Sequence, residues 1–190
     1  EVEGAQLTIT DEDGNVVDQW TSTDKVHSIE GLVVGKIYTL SETVTANDYV
    51  KATDIKFTVK NSSELETITM KDKQVFVSKT TVGGEEVTGA HMQIIDEYGN
   101  IIDEWYSEGK SHIANGLEEG KTYTLHEDLS PLGFNLANDF TFDVTKEKEN
   151  QTVEMIDTVT EVNKTDVDGK AVKEATLSIV SEKTKDIVDQ

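Results

Sequence analysis

The chain has 190 residues, of which 35% are hydrophobic, 6% aromatic and 29% charged, so it can bury small cores but has little apolar surplus for one large domain. Its 38 acidic and 17 basic residues leave a formal charge of -21, which disfavours binding to nucleic acid or anionic membrane surfaces. There is no cysteine, which excludes disulfides and thiolate chemistry, and no apolar run approaches the length of a membrane-spanning helix.

In chain order, the first predicted strand is "AQLTIT" (5–10), followed by the turn signal "DEDGN" (11–15) and the strand "VVDQW" (16–20). "VVGK" (33–36) turns into "KIYTLSET" (36–43), and "DIKFTVK" (54–60), "ETITMK" (66–71) and "QVFVSK" (74–79) continue the alternation. The same order recurs through "DEYGN" (96–100), "TYTLHE" (122–127) and "TVEMID" (152–157). Short strands at this spacing, a single proline and no long helical periodicity predict an all-β fold of tandem Greek-key antiparallel β-sandwich domains.

Sliding the chain against itself by 85 residues aligns 1–80 with 86–165 without a gap, with 33 identities. Trp20 falls on Trp105, His27 on His112, Glu42 on Glu127, Asp72 on Asp157 and Lys79 on Lys164. The frame begins a third time in "VNKTDVDGKAVKEATLSIVSEKTKDIVDQ" (162–190). The predicted organisation is a first repeat over 1–73 lacking its opening strand, a complete repeat over 74–158, and the N-terminal fragment of a third over 159–190. Because the sequence opens and closes in mid-pattern, with no signal-peptide pattern at its start, either a longer array or completion between neighbouring chains is expected.

Residues i, i+2 and i+4 of a strand share a face, and three ionisable residues fall in phase with apolar ones. Lys79 follows Val75 and Val77; Glu127 follows Tyr123 and Leu125, as Glu42 follows Tyr38 and Leu40; Asp157 follows Val153 and Met155, as Asp72 follows Ile68 and Met70. Unpaired in a core, such groups would cost several kcal/mol each, and a buried ion pair often only breaks even. Taken singly, each is explained by a strand-end surface salt bridge worth about 0–1 kcal/mol. The joint pattern, a lysine on the first strand, a glutamate mid-repeat and an aspartate on the last, asks for more.

That trio, the Gly-Ala strand in "GEEVTGAHMQI" (84–94), the "GxxYTLxE" pattern and the loop "LHEDLSPLGF" (125–134) resemble the B-type repeat domains of Gram-positive collagen adhesins and the SpaA-type pilin repeats. Departures are Ser130 and Phe134 in the second repeat, and "SETVTANDYV" (41–50) in the first, which lacks the loop's proline and glycine. The resemblance implies an immunoglobulin-like or prealbumin-like sandwich and a spontaneous intramolecular isopeptide bond. Lys79 would be the nucleophile, Asp157 the electrophile and Glu127 the acid that relays protons. Glu42 would be the corresponding acid of the first repeat. Asp72 and Lys164 belong to incomplete sites, one awaiting a lysine before Glu1 and the other an acid and aspartate beyond Gln190.

Burial supports this chemistry by favouring a neutral amine and a protonated carboxyl. Folding supplies the proximity, which for oriented groups reaches effective molarities of about 10⁵–10⁸ M. The reaction would occur once, so no turnover enzyme is expected, and neither is a cofactor.

The function this implies is a structural stalk or fibre module of a bacterial surface adhesin or pilus that resists mechanical load. A ligand-binding adhesin module, a subunit that donates its strand head to tail, and an accessory sandwich of a secreted enzyme are the alternatives. Partners would be neighbouring repeats, with host extracellular matrix or another copy of the chain as further ones, at an extracellular, cell-wall-anchored location.

Other candidates are weaker. "DEDGNVVD" has calcium-like oxygen spacing but sits where a hairpin must turn and lacks the downstream glutamate. His27 and His112 recur in phase without other histidines nearby, so they are expected to be exposed strand residues and no metal site is predicted. Trp20 and Trp105 are expected to be half-buried at the ends of their strands.

Overall fold

The computed structural model describes residues 2–147 and 149–189. Residues 1–158 form one compact unit and 159–190 a second.

In the first unit β1 (Gln6–Thr10), β2 (Val16–Thr21), β3 (Ile37–Val44) and β4 (Ile55–Thr58) form an antiparallel sheet in the order β2-β1-β3-β4. The β1–β2 turn is made by its own side chains. Asp11 Oδ1 accepts the N–H groups of Asp13 and Asn15 at 3.0 and 2.9 Å, and Gly14 takes the left-handed conformation (φ 81°) that closes the hairpin. Asp96 does the same for Tyr98 and Asn100 at 2.9 and 2.8 Å, so both acidic loops are turns.

The second repeat contains β5 (Val75–Thr81), β6 (Thr88–Ile95), β7 (Ile101–Glu108), β8 (His112–Ile113), β9 (Thr122–Leu129), β10 (Phe140–Asp143) and β11 (Gln151–Asp157). They form two sheets, β10-β9-β6-β7 and β11-β5-β8. Val75, Val77, Val153 and Met155 from one sheet and Met92, Ile94, Tyr123, Leu125 and Phe142 from the other make a single buried cluster, the all-β sandwich the alternation predicts.

Two details differ from a purely antiparallel pattern. β5 and β11, the first and last strands of the repeat, pair in parallel, with Met155 opposite Lys79. A parallel pair needs a long crossover, and here the whole repeat supplies it. "ETITMK" (66–71) forms no strand, although Ile68 and Met70 pack on the first repeat's small core. Its counterpart β11 is held by β5, and among the described residues no strand lies beside 66–71.

The repeats meet along a seam within the first unit. Val50 of the β3–β4 loop is 1% exposed and belongs to the second repeat's core cluster. Lys51 N–H donates to Leu117 O at 2.8 Å and Lys51 O accepts Glu119 N–H at 3.0 Å. Lys73, at the crossing between repeats, is 1% exposed and donates to Thr145 O, to Thr145 Oγ1 at 2.9 Å and to Glu147 O at 3.1 Å.

The second unit has a turn at 166–170, where Asp166 Oδ1 accepts the N–H groups of Asp168 and Lys170 at 3.0 and 2.8 Å. A hairpin of β12 (Ile179–Val180) and β13 (Ile187–Asp189) follows.

Candidate functional site

Three strands converge on one point in the second repeat. β5 brings Lys79, β9 brings Glu127 and β11 brings Asp157, with exposures of 2%, 0% and 1%. The parallel register offsets Asp157 two residues along β11 from Met155, the residue opposite Lys79, so Lys79 and Asp157 are diagonal neighbours on one face. Lys79 Nζ donates to Asp157 Oδ1 and lies 3.1 Å from Glu127 Oε1. Asp157 Oδ2 is buried without a hydrogen bond among the described residues.

The backbone around the acid explains its aim. β6 pairs Met92 with Glu127, and the ladder shifts register between His91 and Met92; in the first repeat the shift falls between Gln6 and Leu7, and Leu7 pairs with Glu42. The extra residue is Asp128 in β9 and Thr43 in β3, so regular alternation carries each glutamate inward and the bulge after it turns the next two residues, Asp128 and Leu129 or Thr43 and Val44, outward. Gly89 precedes the bulge at φ 94°, a conformation a side chain rarely adopts, which accounts for the glycine of the Gly-Ala pair. The alanine is fully buried, and its N–H donates to Ser107 Oγ at 2.9 Å. The tyrosine of "GxxYTLxE" has a similar local role: Tyr123 Oη accepts Glu118 N–H at 3.0 Å and pins the preceding loop.

Glu127 Oε2 accepts the N–H of Ala137 at 2.6 Å, fixing which oxygen faces the lysine. A buried amine between two carboxyls can exchange a proton with either and, when neutral, can attack a protonated carboxyl carbon.

The first repeat holds two members of the trio. Glu42 is 1% exposed, and its Oε2 accepts Ala52 N–H at 2.9 Å. Burial pushes its carboxyl up to about 7, with Asp72 adding to the rise and the Ala52 hydrogen bond and Lys51 opposing it. Asp72 is half-buried and lines an open groove with Val2, Ala5, Leu7 and Met70. Lys79, one repeat further on, serves the other site. Lys164 is exposed in the second unit, where its carbonyl accepts Val172 N–H at 2.9 Å.

The histidines differ from the exposed strand positions expected of them. His27 stacks on Trp20 and His112 on Trp105, at centroid separations of 4.2 and 4.1 Å, and each places Nε2 2.8 Å from an aspartate, Asp18 or Asp103. His27 lies outside any strand, and His112 is only partly exposed. Both tryptophans are half-buried.

Other residues that hold the two acids or the seam gave little sequence signal. Ala52 and Ala137 act through backbone N–H groups; their coincidence at the 85-residue offset was the available clue. Lys73 and Glu119 fall on Thr158 and Val34 at that offset, so the repeat comparison hides them.

The family model described as SpaA, a prealbumin-like fold domain, matches residues 1–74 and again 73–159. Among solved structures, the shaft pilin SpaA from Lactobacillus rhamnosus GG is similar, with 13% identity, coverage of 84% of this chain and 89% of that one, and a TM-score of 0.42. A C-terminal fragment of the pilus adhesin SpaC from the same organism has 12% identity, coverage of 84% and 90%, and a TM-score of 0.41. The Bacillus anthracis TIE protein has 20% identity, with 83% of this chain covering 31% of that one at a TM-score of 0.34. No curated protein matches the chain.

Proposed function

For a chain that belongs to the SpaA prealbumin-like fold domain family, with a lysine and two carboxyls buried together between its first, middle and last strands, we propose the role of a self-cross-linking stalk module of a surface pilus or adhesin. Lys79 Nζ attacks Cγ of Asp157 with its lone pair, forming a C–N bond. Glu127 takes a proton from the nitrogen and returns one to the departing oxygen, so that one water leaves and a neutral amide remains. The amine and the aspartate carboxyl are consumed while Glu127 returns to its starting state, so the chemistry runs once and is not enzymatic turnover. The single observation that carries this reading is the burial of all three groups with Lys79 Nζ against Asp157 Oδ1 and 3.1 Å from Glu127.

The product suits a fibre. In a repeat taken as 74–158 the amide ties the first strand to the last, so tension applied through the ends is borne by covalent bonds rather than by the ladder. In this reading 1–73 is the preceding module and 159–190 the start of a following one. The setting is extracellular, on a cell-wall-anchored surface assembly of a Gram-positive bacterium, with other subunits or host matrix as partners.

The test is intact mass spectrometry of the full chain beside Glu127→Ala. A parent lighter by one water, with the variant at its full calculated mass, is expected. A folded parent at its full mass would reduce the trio to a buried polar network and remove the stalk reading's main support.

A further inference from the structure

The seam between the repeats runs through the same backbone that holds Glu42. Three successive N–H groups are engaged in turn: Lys51 N–H donates to Leu117 O at 2.8 Å, Ala52 N–H to Glu42 Oε2 at 2.9 Å, and Thr53 N–H to Glu119 Oε2 at 3.0 Å. The outer two bonds go to the second repeat and the middle one to the acid of the first. Successive amides of an extended segment point to opposite sides, so Ala52 cannot move without disturbing the bonds that flank it.

Glu119 holds this segment most firmly. It is 7% exposed, its Oε2 also accepts Thr53 Oγ1–H at 2.6 Å, and its own N–H donates to Lys51 O at 3.0 Å. The corresponding bond in the second repeat, Ala137 N–H to Glu127, has a different setting: its neighbour Leu136 is 57% exposed. The two acids are therefore held alike from within, while the first is also braced from the next repeat.

Resting on the cross-linking reading, we propose that Glu119 is a positioning residue for the site of the preceding repeat: by gripping 51–53 it sets the Ala52 N–H against Glu42, so that the upstream acid is aligned for proton transfer once the downstream repeat has folded. Maturation of the first repeat's site would then follow docking of the second repeat. Glu42 faces Asp72, Lys51 and Glu119, so the Glu119 charge acts on it as well as the backbone.

Amide hydrogen exchange and carboxyl titration by NMR on the full chain separate the two effects. Glu119→Gln keeps an acceptor oxygen for Thr53 and removes the charge, whereas Glu119→Ala removes both. Exchange at Ala52 is expected to accelerate about tenfold in Glu119→Ala, as the loss of bonds to a charged group implies. It should stay at the parental rate in Glu119→Gln, with Ala137 unchanged in both. The Glu42 titration midpoint should differ between the two variants. Unchanged Ala52 exchange in Glu119→Ala, acceleration shared equally with Ala137, or coincident Glu42 midpoints would overturn the proposal. The mass of the parent sample reads the Lys79 to Asp157 amide separately, so a failure of the cross-linking reading is distinguishable from a failure of the brace.

Discussion

At the scale of single residues, burial decides what each ionisable group can do. Glu42 illustrates the sign. Its carboxyl rises from an ordinary 4.5 to about 7 because burial disfavours the charged form. The folded state therefore binds a proton that the unfolded chain releases. The resulting stabilisation is complete below about pH 4.5 and is lost as pH rises through about 7, on the order of 3 kcal/mol. Urea unfolding of the full chain at pH 4.5 and 7.5 should show that loss, and Glu42→Gln, neutral throughout, should remove most of it. An identical pH slope in the variant would mean that Glu42 is not the group responsible. Alternation within a strand was enough to read the inward phase of Lys79, Glu127 and Asp157. Lys73 could not be read this way: it lies outside the strands, and its burial depends on three oxygens of the 145–147 turn that only folding brings near.

At the scale of elements, local chemistry and long-range pairing contributed differently. The turns at 11–15 and 96–100 were legible because an aspartate, a glycine and an asparagine at fixed offsets close the hairpin with their own hydrogen bonds. The segment 66–71 shows the limit: its apolar alternation is real, since Ile68 and Met70 face the core, yet a strand exists only when another lies beside it. The β3–β4 loop is the reverse case. It belongs to no strand, yet Val50 fills a place in the next repeat's core. Val50→Ala should cost about 2 kcal/mol in denaturant unfolding, the price of a cavity in a packed core, against about 0.5 kcal/mol or less for an ordinary surface loop. A loss at the lower figure would mean that the seam is loosely packed.

At the scale of the whole molecule, the proposed amide closes a span of 78 residues. By the chain-entropy account of cross-links this stabilises the repeat by about 4.5 kcal/mol. For a domain of this size that corresponds to roughly 20–30 °C in melting temperature. Scanning calorimetry of the parent and Glu127→Ala should show a separation of that order in the transition of the second repeat. Coincident transitions would indicate either no bond or a bond that does not stabilise the repeat.

The sequence by itself determined the strand periodicity, the 85-residue repeat, the turn chemistry and the face of each strand on which the lysine and the acids lie. These follow from local rules: side chains alternate along a strand, and short polar residues close turns with the nearest backbone. Tertiary structure alone decided that β5 and β11 pair in parallel, that Lys79 and Asp157 become diagonal neighbours, that Ala52 and Ala137 orient the two acids, and that Val50 and Glu119 join the repeats. Each of these depends on register or on a contact between residues far apart in the chain, and no local preference encodes which distant groups will share a buried, poorly solvated space.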